Sequence, residues 1–347
     1  MKGAHLTKHA TNREFDFKRI KESVSESIVF SNDEIIVVKG DSLPLLRQIP
    51  SHSVSLILTD PPYHTTKKEN IMGDTDFEND REYVKWLTNY SKEWKRILKQ
   101  NGSLFCFSSS AIVSQLVVAF SKRFNILSEI VWTKPNDPGF EGWKQKMNKE
   151  ALRQWYPHSE RIIFAEPSYP GNLSKSYFGT LLSKKRKKTG LSMKDLAEKI
   201  GAFGNVNHGG SVSNWEAGRN IPSRDQYQKL CSALIETKKV RKMPPYEDVI
   251  RPFATNSSEQ FTDVWDFKSV RPHPNKHPAE KPLSLLEHAI KSTTYEGDIV
   301  LDCFSGSGNT ALAAIKTKRK SVIIELDQKW IAKTISMLHL EYPETYP

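Results

Sequence analysis

At 347 residues the chain has room for two domains, and 37% hydrophobic with 26% charged residues is the balance of a globular protein carrying polar insertions. The formal net charge of +11 is concentrated: between Phe178 and Lys242, 14 Lys and Arg stand against 5 Asp and Glu, which points to a module facing a polyanion. Cys106, Cys231 and Cys303 are too scattered for disulfides or a zinc site, the His-rich N-terminus is no signal peptide, and the most apolar stretch (111–120) is too short to span a bilayer. A reduced, cytoplasmic protein with neither a metal nor a membrane partner is expected.

In chain order, residues 1–30 read as a polar arm with weak helical character. Ile35-Ile36-Val37-Val38 predicts a buried strand ending at Gly40-Asp41, residues 43–49 a short helix, and 54–59 a second strand ending at Asp60. A polar loop over 64–80 follows. Tyr83, Trp86, Leu87, Tyr90, Trp94, Ile97 and Leu98 recur at helical spacing and mark a long amphipathic helix. Strands are expected at 103–107, 126–132 and 161–165, with a helix over 111–120. The alternation breaks near Pro167, and only helical patterning runs through 178–234. From Pro282 the alternation resumes: helix 283–291, strand 299–301, a glycine loop, helix 310–315, strand 321–325, helix 330–338. These elements predict an α/β fold, doubly wound with a mostly parallel sheet, split into two sequence blocks by an inserted all-α module.

Two strand ends carry the chemistry. Asp60-Pro61-Pro62-Tyr63 taken alone is a turn, because each proline fixes φ and neither donates a ladder hydrogen bond. As a strand end it offers a carboxylate, backbone carbonyls and an aromatic ring, which suits a flat polar base. Leu301-Asp302-Cys303-Phe304-Ser305-Gly306-Ser307-Gly308 is a strand running into a glycine loop before a helix, where backbone and helix N–H groups can approach a cofactor. A lone Gly-x-Gly is often only a tight turn; Asp60 in the same chain raises its weight.

Together with Gly40-Asp41, Trp132-Thr133-Lys134-Pro135 and His277-Pro278-Ala279-Glu280-Lys281-Pro282, these segments resemble the beta class of amino-DNA methyltransferases, whose catalytic blocks are permuted. The resemblance covers about 35–165 and 277–338. Two positions depart from its commonest form: Cys303 replaces a usual proline and Asn309 a usual threonine. The resemblance implies S-adenosylmethionine as cofactor, Asp41 at its adenine and Glu325 at its ribose. Phe304, Gly306 and Gly308 would line its methionine side, and Lys281-Pro282 would open the flanking helix. Such a cofactor needs carboxylates for its amino group and ribose hydroxyls, and Asp302 and Glu325 stand at strand ends fit for this. Asp60, Pro61, Pro62 and Tyr63 would form the catalytic pocket. Asp60 and a proline carbonyl would accept the two N–H bonds of a flipped-out exocyclic amine, and Tyr63 would stack on its ring. Adenine N6 and cytosine N4 present the same amine chemistry; an aspartate first favours adenine by resemblance. Cys303 lies where a side chain packs, and no Pro-Cys dipeptide exists, so a cysteine nucleophile is excluded.

The insert resembles the Cro/repressor helix-turn-helix family. Ser192 reads as an N-cap, with Met193, Leu196, Ala197 and Ile200 at helical spacing. Val212 and Trp215 would pack inward, leaving Ser211, Ser213 and Asn214 for the major groove and Arg219 for phosphate. Lys184, Lys185 and Arg186 would also contact DNA, although a basic run alone is usually a solvated face. The stretch 202–210 is longer than the family's usual tight turn. The expected divisions are an arm (1–30), a first catalytic block (31–172), the DNA-binding insert (173–243), the rest of the recognition region (244–276) and a second catalytic block (277–347). The leading reading is a site-specific adenine-N6 methyltransferase of double-stranded DNA, in restriction–modification or phage self-protection. Cytosine-N4 methylation and a regulator with a vestigial catalytic domain are the alternatives. A homodimer is compatible with the family, though nothing in the pattern requires one.

Overall fold

The computed structural model describes residues 3–63, 77–135, 148–155, 157–168, 176–202, 210–253, 261–271, 273–274 and 276–341, with side chains from residue 12 to 340. Most of the predicted polar loop, 64–76, lies outside the described residues. The chain forms two compact units, residues 1–166 with 252–347 and residues 167–251.

The first unit is built on nine strands: β1 (Ile28–Ser31), β2 (Ile35–Lys39), β3 (Val54–Thr59), β4 (Leu98–Ser108), β5 (Phe124–Trp132), β6 (Glu160–Pro167), β7 (Val264–Trp265), β8 (Ile299–Asp302) and β9 (Lys320–Glu325). Their order in the sheet is β1-β2-β9-β8-β3-β4-β6-β5-β7. The run from β2 to β4 is parallel throughout, whereas β1 lies antiparallel on β2 and β6 antiparallel on β4. Its helices are α1 (Gly3–Ser23), α2 (Ser42–Gln48), α3 (Asp80–Ile97) and α4 (Val113–Phe120), and after the insert α10 (Leu283–Thr293), α11 (Asn309–Lys316) and α12 (Gln328–Glu341).

Strand sequences without polar alternation require cover on both faces, and the helices supply it. Side chains of odd and even positions leave a strand on opposite sides. Ile36, Val38, Ile57, Leu104 and Leu301 face Leu45 and Leu46 of α2, Tyr83, Leu87, Tyr90 and Trp94 of α3, and Leu116 and Phe120 of α4. Leu56, Leu58, Phe105 and Val300 face Leu285, Leu286, Ala289 and Ile290 of α10. Ile35, Val37 and Ile323 pack on Ala311 and Ile315 of α11 and Ile331 and Leu338 of α12. The doubly wound, mostly parallel sheet expected from the sequence is therefore present.

Two segments differ from expectation. The N-terminal stretch read as a polar arm contains a 21-residue helix whose Phe17 and Ile20, with Val24 behind them, join the main core. These three stand among charged residues, with Phe15 turned outward, too narrow a stripe to stand out by period. Arg13 anchors the helix through Nε to Asp298 Oδ1 (2.8 Å) and NH1 to the Glu296 carbonyl (2.8 Å). The chain also rejoins the sheet before residue 277: β7 pairs with β5 through Val131–Val264 and Trp132–Trp265, and Trp132 Nε1 donates to the Phe267 carbonyl at 2.6 Å.

The second unit holds α5 (Tyr177–Thr189), α6 (Met193–Lys199), α7 (Gly210–Glu216), α8 (Arg224–Glu236) and α9 (Tyr246–Val249). Ser192 and Ser223 open α6 and α8 with reciprocal capping boxes to Asp195 and Gln226. Phe178, Leu182, Leu196, Ala197, Val212, Trp215, Tyr227, Leu230 and Leu234 form a separate core. Gly179 permits α5 and α7 to meet backbone to backbone, since a Cβ there would lie 2.7 Å from the Trp215 carbonyl oxygen. The segment between α6 and α7 that sequence marked as long, residues 203–209, is outside the described residues.

Ile20 is fully buried, so Ile20→Ala is expected to cost about 2–4 kcal/mol of unfolding free energy, measured by urea denaturation. A change near zero would mean that α1 is not part of the folded core.

Candidate active site

Parallel pairing sets the site. Leu56 pairs with Val300 and Ile57 with Leu301, so β3 and β8, some 240 residues apart in sequence, end side by side. In such sheets ligands collect beyond the carboxyl ends of the strands. There Thr59 Oγ1 donates to Asp302 Oδ1 (2.9 Å), while Thr310 Oγ1 takes Oδ2 (2.7 Å) and the Phe304 N–H takes Oδ1 (3.1 Å). Burial pushes the Asp302 carboxyl up to about 6, against these donors. Its partners make it the anchor of the glycine loop. Cys303 is fully buried beside Thr59, and burial raises its thiol to about 12, far from a nucleophile's range.

A cleft of about 680 Å³ opens along this rim. At one end Asp60 Oδ2 meets Lys281 Nζ at 2.5 Å. Lys281 Nζ also lies 3.3 Å from Glu160 Oε2, which accepts from the Tyr63 hydroxyl at 2.8 Å, and Lys134 Nζ bonds Glu160 Oε1. Burial raises the Asp60 carboxyl and Lys281 works against it. Burial disfavours the Glu160 carboxylate as well, but Lys281 and Lys134 together bring it down to about 2. Burial opposes the Lys281 cation, yet Asp60 and Glu160 carry it above an ordinary lysine. Lys134 reaches Glu160 from a left-handed backbone, φ 52°, rare outside glycine and found at constrained sites.

At the other end Phe304 packs against Trp86 (centroids 5.6 Å) and Tyr90 (5.1 Å). Asp41 caps α2 through the Leu43 N–H. Glu325 Oε2 accepts from the Gly306 N–H at 2.7 Å, and its Oε1 from Leu326 and Asp327 at 2.9 Å each. Gly308 has φ +80°, and a Cβ there would sit 2.4 Å from Thr334 Oγ1, so the loop tolerates no side chain at that turn. Asn309 Nδ2 donates to the Lys281 carbonyl at 2.9 Å, tying the start of α11 to the turn before α10. Among the described residues, three that line the cleft carry a buried polar atom with no hydrogen-bond partner: Asp60 Oδ1, Ser109 Oγ and Ser305 Oγ. Such atoms are costly unless a ligand or water completes them.

The cleft brings together Asp41, Asp60, Pro61, Pro62, Tyr63, Lys281, Asp302, Phe304, Gly306 and Glu325. Pro282 caps α10 and Gly308 caps α11. Lys281 directly precedes Pro282, the N-cap of α10, and its ammonium turns to Asp60. Arg186, expected at DNA, is instead buried in a two-pronged pair with Glu216 (Nε–Oε1 2.5 Å, NH2–Oε2 3.0 Å) and donates to the Leu191 carbonyl. A basic run on a helix cannot face water on every side, and Arg186 lies on the core side. Lys184 and Arg219 are exposed, Lys185, Ser211, Ser213 and Asn214 partly so, and Val212 and Trp215 are buried.

Sequence reasoning missed Glu160. It opens β6, and because β6 is antiparallel to β4 its first residue arrives at the same rim as the ends of β3 and β8. A search of strand ends alone skips it. Lys134 lies in the Trp132-Thr133-Lys134-Pro135 segment, whose pattern alone gives it no partner. Trp86 and Tyr90 read as core by their spacing and also line the cleft.

A family model described as DNA methylase matches residues 54–336. The chain belongs to this family of N6/N4 DNA methyltransferases. DNA adenine methyltransferase YhdJ of Escherichia coli (strain K12) is 28% identical over 305 residues, covering 87% of this chain and 82% of the relative. Type II methyltransferase M.BglII of Bacillus subtilis is 25% identical over 313 residues, covering 85% and 66%. Among solved structures, PvuII DNA methyltransferase (cytosine-N4-specific) superposes with a TM-score of 0.52 at 18% identity, over 89% of this chain and 87% of that one. That likeness is one of fold. Among the described residues no helix is long and apolar enough to cross a membrane.

His277 packs edge-on against Trp330 (4.4 Å), and burial, aided by Lys281, lowers its imidazole to about 4. The folded state thus holds it neutral where an unfolded histidine binds a proton. Its contribution is complete above pH about 6.5 and drains away as pH falls toward 4. Between pH 7 and 4.5, His277→Gln is expected to lose about 2 kcal/mol less than the parent protein, read from urea midpoints. Parallel losses in both proteins would refute the assignment.

Proposed function

We propose that this DNA methyltransferase transfers a methyl group from S-adenosylmethionine to adenine N6 of a specific duplex site, and that its helical insert reads that site as a helix-turn-helix. The observation that carries the reading is Asp60. It is a half-buried strand-end carboxylate with Oδ2 held by Lys281 and Oδ1 without a hydrogen-bond partner among the described residues, followed by two prolines that can offer only acceptors. An exocyclic amine is a weak nucleophile because its lone pair is delocalised into the ring. Asp60 Oδ1 accepting one N–H, and a carbonyl of Pro61-Pro62 the other, draws the nitrogen toward tetrahedral geometry and frees that pair. The target has to leave the duplex to reach the cleft. Tyr63 supplies an aromatic face there, its hydroxyl held by Glu160.

The residues present suit the cofactor. The glycine loop bears the orphan Ser305 Oγ, Asp41 and Glu325 flank it, and Phe304, Trp86 and Tyr90 give an apolar wall. When bound, the cofactor supplies an electrophilic sulfonium methyl, the carbon–sulfur electron pair staying with sulfur as the new nitrogen–carbon bond forms. The methylated amine then sheds one proton, for which Asp60 Oδ1 is the available carboxylate oxygen. The target loop precedes the glycine loop in the chain with the insert between, which is the order of the beta class. Adenine is favoured by the aspartate-first motif and by the name of the E. coli relative.

In the insert, the burial of Val212 and Trp215 and the partial exposure of Ser211, Ser213 and Asn214 on α7 support the helix-turn-helix reading. Lys184 and Arg219 on its surface suit phosphate contacts, and Arg186 is withdrawn from that role. A regulator would have no use for an amine-activating carboxylate, which counts against the vestigial alternative.

Two experiments test this. Purified protein, methyl-labelled S-adenosylmethionine and unmethylated duplex DNA should yield labelled N6-methyladenine. Asp60→Asn should lower the single-turnover rate on the order of 10²–10³-fold or more while cofactor binding persists. Labelled N4-methylcytosine would overturn the base assignment, and an undiminished Asp60→Asn rate the mechanism. Separately, Asn214→Ala should weaken discrimination between cognate and mismatched sites by roughly 10–100-fold. Unchanged discrimination would remove α7 from target reading.

A further inference from the structure

Lys281 sits 221 residues from Asp60 in sequence and touches it in space. An ammonium has three protons to donate, and three acceptors surround this one: Asp60 Oδ2 at 2.5 Å, the Ala279 carbonyl at 3.2 Å and Glu160 Oε2 at 3.3 Å. The side chain is 7% exposed and lies 5.3 Å from the centre of the Tyr63 ring and 5.0 Å from that of Phe107. No proton remains for a substrate or cofactor oxygen. Glu160 is equally committed, to Lys281, to Lys134 and to the Tyr63 hydroxyl.

We infer that Lys281, held in place by Glu160, is a positioning residue that keeps Asp60 ionised and turned so that Oδ1 is its one oxygen free for the target amine. The inference rests on the proposed function for its last step. The physical need is plain: a carboxylate whose oxygens are shielded from water takes up a proton more readily unless a cation stands against it, and a protonated Asp60 donates where it must accept. A charge-assisted bond to Oδ2 also fixes the plane of the carboxyl group, which a water molecule would leave free to rotate. Two carboxylates and two ammoniums make the cluster neutral, so no uncompensated charge is stored when the cleft is empty.

The groups facing Asp60 come from every neighbouring element: Lys281 ahead of α10, Glu160 on β6, Tyr63 after β3, Asp302 on β8 and Cys106 on β4, with Lys134 after β5 behind Glu160. Lys281 is the one cation in direct contact with Asp60 among the described residues. Its loss leaves burial and Glu160 opposing ionisation, with only the Tyr63 hydroxyl favouring it.

The test is Lys281→Met beside Lys281→Arg, with Lys281→Gln in reserve should methionine prevent folding. In free protein labelled with ¹³Cγ-aspartate, the resonance that disappears in Asp60→Asn identifies Asp60. Its titration midpoint should rise by at least about one pH unit in the neutral variant and return close to the parent value with arginine. In single turnover the acid limb should move by the same amount. Below both midpoints the neutral variant should be roughly tenfold or more slower, and it should recover as pH rises above them, with cofactor affinity within about threefold of the parent. An unmoved Asp60 midpoint, a loss equal at every pH, or a large loss of cofactor affinity would each overturn the assignment. If the parent protein methylates no DNA, the proposed function fails, and the carboxyl titration still judges Lys281 by itself.

Discussion

The pairing of β3 with β8 is the constraint on which the site depends. Adjacent strands in a sheet run about 4.8 Å apart, so registering Ile57 on Leu301 fixes how far Asp60 can lie from the glycine loop. Thr59 and Asp302 then close the gap with a hydrogen bond at the very point where both strands end. In the proposed reaction a target amine and a methyl donor have to meet within bonding distance, and this register would supply that proximity before either ligand arrives. The helices on both faces hold the register, because a slip by one residue would turn Leu56 and Ile57 toward the wrong layers.

Around that junction the charges arrange themselves by necessity. Asp60, Glu160 and Lys281 are all withdrawn from water, and each alone would be neutral or absent. They persist because each meets a partner: Lys281 between two carboxylates, Glu160 between two lysines. The opposite displacements of the Asp60 and Glu160 carboxyls record an unequal sharing. Glu160 has two cations beside the Tyr63 phenol and is held down to about 2, whereas Asp60 has one cation beside that phenol and burial prevails. The group left less satisfied is the one with an open oxygen, which is the usual mark of a working residue rather than a structural one.

Much of this was legible in sequence, for reasons that differ by residue. The strands announced themselves because two-sided burial makes unbroken apolar runs such as Ile35–Val38, and both strand-end motifs lie in consecutive residues where chain order suffices. Glu160 was invisible because its role depends on an antiparallel strand entering the rim from the wrong end, a fact of topology that no local pattern encodes. Lys281 is marked by its motif, but its contact with Asp60 is not legible there, since its ammonium reaches across to β3 while its carbonyl stays with α11. Arg186 was misread for a simpler reason: five consecutive basic residues on a helix include at least one on the buried side, and the Glu216 that accepts it is 30 residues away.

The insert follows the same economy. A segment of some eighty residues can interrupt a sheet protein only if it brings its own core, since its helices have no strand face to cover. Residues 167–251 do so, with Trp215 and Leu182 at the centre, two capping boxes at the helix starts and the Arg186–Glu216 pair closing one side. On the sheet side the return is pinned at once, by β7 on β5 and by Trp132 Nε1 on Phe267, so the break in the chain does not become a break in the fold. The two halves of the catalytic unit therefore keep one register whatever the insert carries. Asp60 and the glycine loop stay fixed to β3 and β8, strands that the insert does not touch in sequence.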